Sequence, residues 1–145
     1  MTITTELILG GQKSGKSRRA ELLARDWLAQ SPAHNAMLIA TAQPWDGEMR
    51  ERIARHQRDR AEREPGLQTL EEPRDLAAAL AQHSTAHTLV VVDCLTLWLT
   101  GVLDAASPDW DDAAALAVGA QEATKDLIDA LCACPATVIL VSNEV

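Results

Sequence analysis

The stretch GGQKSGKS, residues 10–17, constrains this chain more than any other feature. It matches G-x-x-x-x-G-K-[ST] and lies between an apolar run, ELILG (6–10), and an amphipathic one, KSRRAELLARDWLA (16–29). A strand must therefore enter the motif and a helix must leave it. Gly10, Gly11, Gln12, Lys13, Ser14 and Gly15 would turn backbone N–H groups toward phosphate oxygens, with the positive end of the helix behind them. Lys16 would reach the terminal phosphates, and the Ser17 hydroxyl would ligate Mg2+. A glycine-rich turn holding a chance lysine is the bland alternative, and correct flanks on both sides count against it.

Three further apolar runs read as buried strands: AMLIA (36–40), HTLVVVD (87–93) and TVILV (137–141). Helical patterns separate them at 16–29, 48–63, 73–82 and 111–132. Strands alternating with helices predict right-handed crossovers and a mainly parallel sheet. The expected architecture is a P-loop NTPase-like, three-layer α/β fold in one nucleotide-binding domain spanning 1–145. Pro65-Gly66 should stop the second helix, Pro73 suits a first helical turn, and 101–111 reads as the longest surface loop.

Composition narrows the class. The chain has 145 residues with four Trp and no Phe or Tyr, so Leu, Val, Ile and Ala must fill the core. A net charge of -8 argues against general nucleic-acid binding, which needs a basic surface. Any anion site must be local. Cys94, Cys132 and Cys134 lack metal-ligand partners at finger-like spacing and read as reduced core or near-core thiols. No segment approaches the length of a membrane span and no basic leader precedes an apolar run, so a cytoplasmic protein is expected.

Two more residues carry chemistry. Asp93 ends an apolar strand, where a phosphate-loop protein keeps its second magnesium-directed carboxylate, although a helix N-cap would also explain it. His56 stands among six arginines and five acids in EMRERIARHQRDRAERE (48–64). Taken alone, that stretch is a solvated, ion-paired helix. On helical spacing His56 shares a face with Met49 and Ile53, bordered by Arg52 and Arg60, so the ring is expected to turn away from bulk water. A satisfied core histidine would do the same. The sharper reading is a nucleophile for phosphorus: arginines disfavour a second cation and could neutralise a triphosphate, and Asp59 at i+3 could orient the ring.

The quoted pieces GGQKSGKSRRAE (10–21), IATAQPWDGEMRERIARHQRDR (39–60), LEEP (70–73), VVDCLTLWLT (91–100) and VSNEV (141–145), in this order, resemble the bifunctional adenosylcobinamide kinase / adenosylcobinamide-phosphate guanylyltransferases of cobalamin biosynthesis. The resemblance implies phosphorylation of adenosylcobinamide by a nucleoside triphosphate. It also implies transfer of GMP from GTP to adenosylcobinamide phosphate through a GMP-histidine at His56. Nucleotide contacts are implied at Gly10 through Ser17, at Thr41, Ala42 and Gln43, at Gln57, Arg58 and Asp59, and at Glu71 and Asp93. The substrates would be GTP and ATP with Mg2+ held by Ser17 and Asp93, and the assembly a homotrimer. Either Glu71 or Asp93 could read guanine; as bland alternatives, Thr41 could be a helix cap and Glu71 a solvated loop acid. Two departures stand out: Gly101 replaces the family's usual Asn, and the pattern's C-terminal helix and strand are not in these 145 residues. A monofunctional small-molecule kinase and a non-catalytic GTP-binding regulator are the competing functions.

Overall fold

The computed structural model describes residues 5–10, 16–42 and 47–143. The elements are β1 (Thr5–Gly10), α1 (Lys16–Gln30), β2 (Asn35–Ala40), α2 (Gly47–Arg63), β3 (Leu67–Glu71), α3 (Leu76–His83), β4 (Thr88–Asp93), α4 (Leu95–Ala106), α5 (Ala113–Ala133) and β5 (Thr137–Asn143). The five strands form one sheet in the order β1-β5-β4-β2-β3, and every neighbouring pair is parallel. The expected α/β architecture is thus what the chain adopts.

Alternation along the strands builds two cores. Ile8, Leu38, Val91, Ile139 and Val141 pack against Ala20 and Ala24 of α1 on one face. Ile39, Val90, Val92, Val138 and Leu140 pack on the other against Leu76 and Leu80 of α3, Trp98 of α4 and Leu127 of α5. The central strand β4 is buried at five of its six positions, which is why its sequence is a continuous apolar run rather than an alternating one. Trp98 is buried in the second of these aliphatic cores and Trp27 packs partly buried against the first, whereas Trp110 is exposed. Of the three free thiols Cys94 and Cys134 are buried as expected, but Cys132 faces solvent.

Four local expectations need correction. The strand β3 has no counterpart among the expected elements: it carries only two leucines in LQTLE, pairs on one side only, and exposes three of its five residues. The helix α4 is also additional, and it takes up residues 101–106 of the expected surface loop. Gly101, expected in that loop, is buried within the helix. Its N-cap is Cys94 with no side-chain hydrogen bond, so neither a capping signal nor a polar face marks its start. Pro73 lies outside α3, whose start is set by Asp75 accepting a hydrogen bond from Ala78 N at 3.2 Å. The stop at Pro65-Gly66 holds, since α2 ends at Arg63. Finally, α5 begins after Asp112, which caps Ala115 N in the same way.

Candidate nucleotide site

All five strands end at the same edge of the sheet because all run in parallel. Ala40 lies in register with Glu71 on one side and Asp93 on the other, so the two acids flank the end of β2. On the far side of β5, Gly10 ends β1 in register with Asn143, and Lys16 opens α1. A phosphate loop between strand and helix requires this frame. Residues 11–15, which include Gly11, Gln12, Lys13, Ser14 and Gly15, lie outside the described residues, as does Gln43. Lys16 and Ser17 stand in the first turn of α1.

Thr41 is fully buried and holds the edge together. Its hydroxyl donates to Cys94 O at 2.6 Å and accepts from Cys94 N at 2.9 Å, while Thr41 N donates to Asp93 O at 3.0 Å. It is therefore not a helix cap but a side chain spanning the ends of β2 and β4. The N-cap alternative for Asp93 is replaced too: Cys94 occupies that position and Asp93 is the last, half-buried residue of β4.

Beside this edge is a recess of about 190 Å³ lined by Ala42, Arg50, Ile53, Ala54, Gln57 and Glu71. The Gln57 amide donates to the Glu71 carboxylate across it. Three of the expected nucleotide contacts, Ala42, Gln57 and Glu71, thus meet from three different elements. Arg50, Ile53 and Ala54 join them without having been expected. The signal was present: residues 50, 53, 54 and 57 share one helical face.

That face also corrects the reading of His56. The stripe that α2 turns inward runs through Ile53, Gln57 and Arg60 and continues into buried Glu64. His56 is one residue short of Gln57, about 100° around the helix, and its ring is exposed. Arg60 does not border it but is buried, with Nη1 3.4 Å from Thr69 Oγ1 of β3. Among the described residues the His56 ring makes no hydrogen bond, to Asp59 or to any other group. Asp59 lies instead where its charge supports Arg63, one turn further on. Arg58 and Asp59 are exposed and outside the recess.

The side-chain types at this edge suit phosphate chemistry. One carboxylate from a strand end and one hydroxyl from the helix after the phosphate loop are a donor set for a Mg2+ that completes its shell with phosphates and water. Asp93, half-buried at the edge, fits that role, and Ser17 is placed at the start of the helix that would share it.

Comparison with known proteins agrees with this frame. The profile of the CobU family, cobinamide kinase / cobinamide phosphate guanyltransferase, matches residues 6–145. The bifunctional adenosylcobalamin biosynthesis protein CobP of Pseudomonas aeruginosa is 48% identical over 140 residues, covering 96% of this chain and 70% of that protein. The bifunctional adenosylcobalamin biosynthesis proteins CobU of Escherichia coli K12 and Salmonella typhimurium are each 34% identical, over 145 and 143 residues, covering 96% of this chain and 74% of theirs. With the match running from the phosphate-loop strand to the last residue, the chain belongs to the cobinamide kinase / cobinamide phosphate guanyltransferase family of enzymes.

Proposed function

We propose that this chain phosphorylates adenosylcobinamide and then converts adenosylcobinamide phosphate to adenosyl-GDP-cobinamide through a GMP-histidine at His56. The observation that carries the proposal is the recess where Ala42, Gln57 and Glu71 meet, on the helix that presents His56 to solvent. A nucleophile that must receive a phosphorus from one bound substrate and deliver it to another needs an open approach. An exposed imidazole meets that need better than the buried one its spacing suggests.

In the kinase half, the hydroxyl oxygen of the aminopropanol arm attacks the γ-phosphorus of ATP or GTP. The bond to the β–γ bridging oxygen breaks, the nucleoside diphosphate leaves, and the hydroxyl proton passes to solvent. Gly10 through Lys16 cradle the phosphates. In the second half, an imidazole nitrogen of His56 attacks the α-phosphorus of GTP, the bond to the α–β bridging oxygen breaks, and pyrophosphate departs. A phosphate oxygen of adenosylcobinamide phosphate then displaces the imidazole, restoring His56 and forming the diphosphate link. Glu71 supplies the acceptor for guanine N1–H and the exocyclic amine. Gln57, Arg58 and Asp59 contact the nucleotide from the turn after His56, Thr41, Ala42 and Gln43 from the end of β2. Mg2+, held by Ser17 and Asp93, neutralises phosphate charge when bound. The chain works in the cytoplasm as a homotrimer.

The test is product analysis with adenosylcobinamide, ATP, GTP and magnesium. Both adenosylcobinamide phosphate and adenosyl-GDP-cobinamide should form in sequence. Glu71→Ala should raise the KM for GTP in the second step by about tenfold or more, the cost of a lost charged hydrogen bond, and leave an ATP-driven first step largely intact. Phosphate ester without any diphosphate product would identify a monofunctional kinase, and bound GTP without product a regulator.

A further inference from the structure

We propose that Ser142, near the end of β5, donates a hydrogen bond to the γ-phosphoryl group during the kinase half-reaction, and that Thr96 of α4 is the positioning residue that aims it. The inference rests on the kinase half of the proposed function and not on the histidine.

The sheet sets the location. Its order puts β5 between the strand that enters the phosphate loop and the strand that ends in Asp93. Ser142 is in register with Leu9 of β1, so Gly10 and the loop sequence follow one residue further on. On the other side Val141 is in register with Asp93. Neighbouring strands lie about 4.8 Å apart, so Ser142 stands one strand from the phosphate loop's entry and one strand from the acid assigned to magnesium. A terminal phosphate shared by those two lies above the end of β5.

The side chain there is a hydroxyl with a proton to give. From Val138 to Val141 the strand is apolar and buried, and Ser142 breaks the run half-buried. Alternation puts Ser142 on the face of Val138 and Leu140, where α4 packs, and Thr96 Oγ1 lies 3.0 Å from Ser142 Oγ. Among the described residues Ser142 Oγ has no second partner. Two hydroxyls carry two protons, and the bond between them uses one. With Thr96 donating, the Ser142 proton is left to point outward.

Thr96 is itself held in place. It stands in the first turn of α4, whose start is tied to β2: Thr41 grips the N–H and carbonyl of Cys94, and Trp98 N donates to the same carbonyl at 3.2 Å. A donor oriented before the reaction needs no reorganisation as charge shifts among the phosphoryl oxygens. Packing does not call for the pair. An apolar residue at 142 would extend the face made by Val138 and Leu140, and a neutral hydrogen bond exchanged for one to water adds little stability.

In the step itself the acceptor hydroxyl oxygen bonds to the γ-phosphorus, its proton passes to solvent, and the bond to the β–γ bridging oxygen breaks. The diphosphate leaves with that electron pair. Ser142 keeps its proton throughout and only donates to a γ-oxygen, so it favours the transition state over a bound diphosphate.

The test compares wild type, Ser142→Ala, Thr96→Val and the double variant with adenosylcobinamide, ATP and magnesium. Turnover to adenosylcobinamide phosphate at saturating substrates should fall about ten- to 100-fold in Ser142→Ala, the loss of one hydrogen bond to a charged group. The dissociation constant for ADP, which lacks the γ-phosphoryl group, should change less than about twofold, with melting temperature near that of wild type. Thr96→Val should lose less, and the double variant no more than Ser142→Ala, because Thr96 acts through Ser142. Ser142→Cys, close in size and a weak donor, carries the test if the alanine variant does not fold. Wild-type turnover in a folded Ser142 variant, whether or not KM rises, overturns the contact. Parallel loss of ADP affinity, melting temperature and turnover assigns the pair to folding and overturns it too. Losses that multiply in the double variant overturn the part given to Thr96. No phosphate ester from wild type overturns the kinase reading, and this inference falls with it.

Discussion

Thr41 shows how one side chain can serve the site without touching a ligand. Its hydroxyl both donates to and accepts from the backbone of Cys94, the residue directly after Asp93, so the ends of β2 and β4 are held in step where Ala42 and Asp93 are displayed. Thr41→Val keeps the shape and removes both bonds. It should cost about 1–3 kcal/mol of unfolding free energy, measured by urea denaturation, because a buried N–H loses its acceptor. A variant as stable as wild type would show that the hydroxyl is not what fastens the edge. The residue type was legible as a nucleotide contact through the family pattern, but its hydroxyl is committed to Cys94 and its N–H to Asp93 O, so any contact with nucleotide is left to its backbone carbonyl. His56 was legible as a singular residue and misread in orientation. The apolar pair Met49 and Ile53 sets a face that includes it, whereas the inward stripe is completed by Gln57, Arg60 and Glu64, polar groups that find partners on β3 and α1. Hydrophobic periodicity cannot find a buried face made of paired polar groups.

At the scale of elements, the same limit explains what was and was not readable. The strands β1, β2, β4 and β5 are apolar runs bounded by polar residues, and each lies where the sequence suggests, within two residues at either end. β3 is an edge strand with three of its five residues exposed, and α4 is apolar nearly all round because it is wedged among the sheet, α5 and the core, so neither shows a period. The α4–α5 contact is close enough to need glycine: a Cβ on Gly119 would collide with Ala106 Cβ. Gly119→Val should therefore destabilise the fold by about 1–3 kcal/mol, read as a lower denaturation midpoint, as overpacking does in a filled interface. A neutral result would mean that the two helices can separate at little cost.

For the whole molecule, acid stability follows from the link between α1 and α2. Burial pushes the Glu21 carboxyl up, but the hydrogen bonds and charge of Arg63, aided by Arg18 and Arg60, outweigh it and hold the pKa below its ordinary value of 4.5. A depressed folded-state pKa means that the carboxylate contributes stability above the unfolded-state value and loses it as pH falls through the folded-state value. Melting temperature should therefore decline as pH is lowered from about 5 toward 3, and Glu21→Gln should flatten that decline while lowering stability at pH 7. An unchanged slope in the variant would remove Glu21 from the account of acid unfolding. The parallel sheet, the phosphate-loop frame and Asp93 at its edge were legible from spacing, whereas Glu71 came only with the family pattern, because the strand that carries it shows no apolar run. The contacts that tie α2 to α1 were not, because Glu21 and Arg63 are 42 residues apart and no local pattern pairs them.

The central claim is that His56 carries GMP, and intact-mass analysis after incubation with GTP and magnesium tests it most directly. The account predicts an acid-labile GMP adduct on the wild-type chain and none on His56→Ala. A wild-type protein that is folded and binds GTP yet gains no mass, or a His56→Ala variant that gains it equally, would contradict the claim.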